Sequence, residues 1–200
     1  MFISTFKQFV AHTPRLAMVT ALFLFGAAQA NELCITDNRG IDNVQQTTPT
    51  ARFTISEHVV TDNKTGLMWS RCPHGYEYQS FGCNRVVGEK QTFTWAEAMA
   101  EIDPSETTVY RGEPGGWRLP NVKELLSIVE RTCHDPALNS KVFLDSVTQA
   151  YWTNTLSATG GALAVDFNYG IIRTAGGDSG ITADDNVTTP IAVRFVRDLN

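Results

Sequence analysis

Residues Gly115 to Leu126, GGWRLPNVKELL, decide how this chain is read. Asn121 can accept from the free N–H groups of a first helical turn, and Glu124 stands three residues on, as in a capping box. Val122, Leu125, Leu126 and Val129 then repeat at i, i+3, i+4 and i+7. The pattern predicts a helix that begins at Asn121 or Val122 and runs to about Arg131. The residues before it suit a structural role. Gly115 and Gly116 permit close backbone approach, Trp117 supplies a large buried anchor, Arg118 can hydrogen-bond loop carbonyls or a carboxylate, and Pro120 fixes the entry to the helix. One string serves turning, packing and capping together, so it is expected to be a structural keystone rather than a binding site.

Upstream, Thr94-Trp95-Ala96-Glu97 is a second capping box, opening a short alanine-rich helix through Met99 and Ile102 that Asp103-Pro104-Ser105 ends. Earlier still, Phe53 and Ile55 alternate, and Val59-Val60-Thr61 and Leu67-Met68-Trp69 flank the turn Asp62 to Gly66, which predicts a hairpin. Downstream, Cys133 to Ser146 is expected to be structured loop. Tyr151 to Thr155, the alternation Leu163, Val165, Phe167, Tyr169, Ile171, and the alternation Ile191, Val193, Phe195 are expected as half-buried antiparallel strands. A Gly/Asp/Thr-rich surface loop, Thr174 to Thr189, separates the last two. Strands, two helices, then strands, without βαβ alternation, give an α+β domain.

The first thirty residues carry Lys7 and Arg15, an apolar run from Leu16 to Phe25, and the small-residue ending Gly26 to Ala30. That is the pattern of a secretory signal peptide, residues 1–30, cut after Ala30. The run is shorter than the roughly 20 apolar residues of a spanning helix, so no stable membrane insertion is expected after cleavage. Residues 31–51 then form an irregular polar lead-in, and residues 52–200 one domain. Removing Lys7 and Arg15 from 16 basic residues leaves 14 against 21 acidic ones, a net charge of −7. Such a surface argues against nucleic acid, anionic lipid and polyanionic sugars as partners.

All four cysteines lie beyond the cut, and an even number in an exported chain argues for two disulfides. Three pairings exist. Cys72 and Cys83 bracket a short loop, which favours joining them and leaves Cys34 with Cys133. The competing use is a zinc site built from Cys72, His74, Cys83 and Cys133 or His134, whose spacing matches no common finger.

Four pieces line up in order: TDNKTGLMWSRC (Thr61 to Cys72), FTWAEAMA (Phe93 to Ala100), GGWRLPNVKELLSIVE (Gly115 to Glu130), and AYWTNT with AVDFNYG and VRFVRD towards the C-terminal end. Over about Phe53 to Asp198 the chain resembles the bacterial extracellular domain family named after the C-terminal domain of the Legionella collagen-like adhesin. The resemblance implies a C-type lectin-like module, with two helices packed around a small twisted antiparallel sheet, first and last strands meeting, and a ligand face built by the C-terminal loops. Thr153-Asn154-Thr155 departs from the serine-rich run usual there. The adhesin's attachment to sulfated sugars goes with positive charge and does not carry over to a −7 surface.

Catalytic patterns fail on inspection. Gly177-Asp178-Ser179-Gly180 resembles a trypsin-like nucleophile motif, but Ile181 stands where glycine belongs. His58, His74 and His134 lack triad-like partners. A formylglycine-generating activity, suggested by the implied fold relationship, would need a late cysteine pair, and no cysteine follows Cys133. Binding chemistry is better supplied: Asn154, Asp166, Asn168, Tyr169, Arg173, Asp178, Asp184 and Asp185 fall in the segments that, by resemblance, form the ligand face. Such amide, carboxylate and aromatic groups suit a glycan or peptide. Asp184, Asp185 and Asn186 are candidates to hold calcium, with no other cofactor indicated. Trp69, Trp95, Trp117, Arg118 and Trp152 are expected to be structural. The sequence thus points to an exported, non-enzymatic module that binds an extracellular glycan or protein ligand, a homo-oligomer being possible. The alternative is a structural or accessory subunit of a surface assembly such as a pilus or adhesin complex.

Overall fold

The computed structural model describes Cys34 and residues 45–80, 82–101, 112–113, 115–144, 150–158, 160–175 and 191–199. The segment read as a signal peptide lies outside them, as do Ile102, Asp178, Asp184, Asp185 and Asn186. Among the described residues, nine strands form three antiparallel sheets. The first orders β1 (Phe53–Ile55), β2 (Val59–Asp62), β3 (Leu67–Ser70) and β9 (Val196–Asp198) side by side. The second is the hairpin β4 (Tyr76–Gln79) and β5 (Gly82–Arg85), and the third runs β6 (Ala150–Leu156), β7 (Ala162–Asp166), β8 (Ile171–Ala175). The α-helices among the described residues are α1 (Trp95–Ala100) and α2 (Val122–Ser127), six residues each.

This corrects the expected α+β layout. Among the described residues the body is mostly β-sheet, and helices this short cannot form a layer that packs around a sheet. Both predicted capping boxes form, Thr94 with Glu97 and Asn121 with Glu124. Yet α2 stops at Ser127 rather than near Arg131. Ile128 leaves helical geometry at φ −98° and ψ 2°, its N–H turns back to Leu125 and Leu126, and Val129 makes an antiparallel bridge to Leu138. Two strand assignments change as well. The stretch bracketed by Cys72 and Cys83 carries β4 and the start of β5, part of a hairpin that extends to Arg85, instead of a plain loop. The alternation from Leu163 to Ile171 is likewise a hairpin and not one strand, because the chain reverses at Phe167 to Gly170. There Asp166 Oδ1 accepts the Asn168 N–H at 2.8 Å, and Gly170 takes φ +68°, which side chains resist.

Two apolar clusters fill the interior. Val60, Trp69 and Val196 stand opposite one another across β2, β3 and β9, and join Tyr151, Val165, Phe167, Leu125, Ile128 and Phe143 in one cluster. The other gathers Val59, Trp117, Leu119, Ala150, Trp152, Ala164, Val193 and Phe195. The first and third sheets feed both clusters, so strands β2, β3, β6 and β7 are covered on both faces along much of their length, which is why they depart from clean alternation.

Residues 191–196 bind these layers together. They are buried throughout, correcting the expected half-buried strand. Ala192 exchanges bonds with Ala150 and Trp152 on β6, Val193 O accepts from His74, Phe195 O from Ser70, and Val196 pairs with both Arg118 and Trp69. Even Arg194 is buried, donating to the carbonyls of Ser70 at 2.5 Å and Arg71 at 2.6 Å, with its guanidinium 5.0 Å from the Phe143 ring centre. A segment whose neighbours lie on several elements satisfies its backbone without belonging to one long strand.

The Gly115–Pro120 stretch locks onto this seam. Trp117 is fully buried, and Arg118 clamps Glu124 with two bonds of 2.8 and 2.9 Å while also reaching Asp198 at 3.0 Å. Glu124 therefore caps α2 and anchors Arg118 at once. Gly116 is required for a different reason than close approach: nothing lies within 4 Å of a Cβ placed there, but its φ of +85° favours glycine.

Disulfides join Cys34 to Cys133 and Cys72 to Cys83. All the sulfurs that the zinc arrangement needed are thereby consumed.

Candidate functional site

Two buried carboxylates act as internal fasteners. Glu130 receives the N–H groups of Thr47, Thr48 and Thr132 and the hydroxyls of all three threonines, at 2.7 to 3.3 Å. Burial pushes its carboxyl upward, but the Thr132 hydroxyl and the backbone donors of Thr48, Thr132 and Thr47 outweigh it and hold it below its ordinary value of 4.5. Thr47 and Thr48 of the lead-in are thus docked, with Asn139 adding a bond to Thr48 O at 2.7 Å. Asp62 likewise sits below its ordinary 3.8: burial raises it, and Arg52, Thr65 and the Lys64 N–H more than compensate. These donors are spent inside the fold, which leaves nothing to present to a ligand.

The β7–β8 turn has a different character. Asp166 is 4% exposed; one oxygen caps the turn at Asn168, and the other holds Arg173 Nε at 2.6 Å. The carboxylate thus orients a guanidinium whose side chain is one-third exposed, with no protein partner for its two terminal nitrogens among the described residues. Tyr169 at the apex is 64% exposed, and Ile171 and Ile172 on the outer strand are about half exposed.

The turn rests on residues distant in sequence. Asn168 O accepts from Asp135 N–H at 2.9 Å, and Phe167 O from Ala137 N–H at 2.6 Å. Gly170 lets the two segments touch, because a Cβ there would meet Val129 Cγ1 at 2.5 Å. His134, exposed, and Asp135, half-buried, are hydrogen-bonded to each other at 3.1 Å and consequently border the turn. In the sequence His134 stands as an alternative zinc ligand and a residue without triad-like partners, and Asp135 is not singled out, since their place beside the turn comes from tertiary hydrogen bonds that no local pattern signals.

The candidate ligand residues do not all converge. Asp166, Asn168, Tyr169 and Arg173 gather at this turn, Asp166 as a positioning group rather than a contact. Asn168 lends its backbone to the turn, and its side-chain oxygen is buried with no hydrogen-bond donor among the described residues. Asn154 lies elsewhere, where β6 bulges between Trp152 and Leu156; its N–H donates to Pro120 O and its amide to Leu119 O, so it serves the helix entry. Trp69 and Trp152 are fully buried like Trp117, and partly buried Trp95 donates its ring N–H to Thr153 O at 2.9 Å. Among the described residues no three His, Cys, Asp or Glu side chains are placed to hold a metal, and no helix is long and apolar enough to cross a membrane.

No curated protein and no solved structure matches the chain significantly, and the C-type lectin relationship therefore finds no support. The model of one family, described as the Lcl C-terminal domain, matches residues 58–197. That span takes in the hairpin β2–β3, both capped helices, the Trp117–Arg118 seam and the β7–β8 turn. The chain belongs to the Lcl C-terminal domain family.

Proposed function

We propose that this protein is an exported, non-enzymatic ligand-binding module of the bacterial cell envelope or exterior, with the β7–β8 turn as its contact surface. Family membership relates it to a domain of a surface adhesin, and two disulfides are consistent with an exported chain. The observation that carries the proposal is the contrast at Asp166: a buried carboxylate spends its bonds on holding an exposed turn in one shape. A fixed turn that displays an aromatic ring, two aliphatic chains and an oriented guanidinium is the composition of a recognition surface. Preorganisation of this kind lowers the entropy lost on binding.

The test is capture of the purified mature chain, residues 31–200, on cell-surface glycans and peptides, beside its Tyr169→Ala and Arg173→Ala variants. Saturable binding that both variants weaken is expected; binding untouched by either would remove the turn from the account. Fractionated cells should show the mature chain outside the cytoplasm. Exposed Ile171 and Ile172 on strand β8 favour one second reading, an accessory subunit docked in a larger assembly. Co-purification of a stable partner that Ile171→Asp releases would decide for it.

A further inference from the structure

Resting on that proposed contact surface, we infer that its ligand is a neutral, hydroxyl-rich ring, a sugar without carboxylate or sulfate. The argument starts from charge. The guanidinium at the turn is already matched within the chain, Arg173 by Asp166 at 2.6 Å, and the neighbouring His134 ring is hydrogen-bonded to Asp135 at 3.1 Å. An ionic ligand would gain little from such pairs, because a charge already matched offers a second counter-ion mainly the cost of losing its own water. The mature chain's excess of 21 acidic over 14 basic residues opposes an anion further.

Hydrogen bonding remains on offer. The two terminal nitrogens of Arg173 can donate, and the Asp135 carboxylate and Tyr169 hydroxyl can accept. A ligand that fits must both accept and donate over a short distance, as adjacent hydroxyls do and an aliphatic side chain does not. Tyr169, 64% exposed at the apex, adds a ring face for the C–H surface of such a ring. The backbone beneath is fixed, since Asp166 takes the Asn168 N–H and Asp135 N–H donates to the Asn168 carbonyl. Donors, acceptors and ring are thus held by one turn and the segment it rests on.

The experiment uses residues 31–200 and three probe sets read by saturation-transfer NMR and calorimetry. These are the methyl glycosides of glucose, galactose, mannose and N-acetylglucosamine; methyl glucuronide; and end-blocked peptides of Glu or Leu. Binding of at least one neutral glycoside is expected, weakened about tenfold by Tyr169→Ala and by Arg173→Ala, the scale of one lost contact. Leu156→Ala, at the far end of β6, should leave it unchanged. If glucuronide or peptide binds in place of the neutral probes and the turn variants still weaken it, this inference falls while the contact surface stands. If neutral glycosides bind without regard to Tyr169 and Arg173, or nothing binds, both fall.

Discussion

Two arginine–carboxylate arrangements in this molecule look alike on paper and do opposite things. At the seam, Arg118 satisfies Glu124 with two bonds and Asp198 with another, and beside it lies Trp117, without any exposed surface. At the β7–β8 turn, Asp166 is the buried partner, Arg173 is spent at one nitrogen, and the neighbouring Tyr169 ring faces outward. In the first case the pair closes a structure, its guanidinium held more firmly protonated by Glu124 and then by Asp198. In the second a carboxylate holds a surface open in one shape. What separates them is how many donors of the guanidinium are spent: both terminal nitrogens of Arg118 bond inside the fold, whereas Arg173 bonds Asp166 through Nε.

The contrast can be broken most forcefully at Trp117. Trp117→Ala should cost about 3–5 kcal/mol, as large aromatic truncations in a closed core do, and prevent accumulation of folded protein; urea unfolding of any soluble fraction measures it. Glu130→Ala ranks next. It leaves buried donors of Thr48 and Thr132 without their acceptor, should cost about 1–3 kcal/mol in all, and should free residues 45–51 to proteolysis. Acid tests the same group without mutation. Folded Glu130 and Asp62 titrate below their unfolded values of 4.5 and 3.8, so their contribution is complete above those values and is lost as pH falls through the folded ones. Stability measured from neutrality downwards should stay level to about pH 5 and then fall, and Glu130→Gln should flatten part of that decline.

Arg118→Lys should cost about 1 kcal/mol, because an ammonium cannot reproduce the two-pronged bond to Glu124 in a half-exposed site. At the turn the effect on folding should nearly vanish. Tyr169→Ala is expected to change stability by less than about 0.5 kcal/mol, read by thermal melting, while ligand capture falls. A Tyr169→Ala that unfolded the domain would erase the distinction between seam and rim.

Local signals in the sequence carried a good part of this. Both capping boxes, the β2–β3 hairpin and its Asp62–Gly66 turn were legible because their chemistry lies within a few residues. The fold class was not. Apolar spacing through Val129 continues a helical pattern that the backbone abandons at Ile128, since the side chains reach the same core either way. The alternation through Phe167 and Tyr169 looked like one strand because a turn with one residue buried and one exposed keeps the same rhythm. Arg194 reads as a solvent-facing position; its burial depends on carbonyls of Ser70 and Arg71, more than 120 residues away. The candidate site divides in the same way. Asp166 and Arg173 are close enough in sequence to suggest each other, whereas Asp135 joins them through a backbone bond to Asn168 that no local pattern announces. Asn154 was grouped with them for its residue type, though the β6 bulge turns it to the helix entry.

Native-state hydrogen exchange tests the seam most directly. The amides of Arg118, Trp152, Ala192 and Val196, which link β3, β6, β9 and the Trp117 segment, should exchange only with global unfolding and form one slowest set. If the Ala192 and Val196 amides exchange as fast as those around Tyr169, then the C-terminal segment does not hold the sheets together, and the division into sealed seam and displayed rim is wrong.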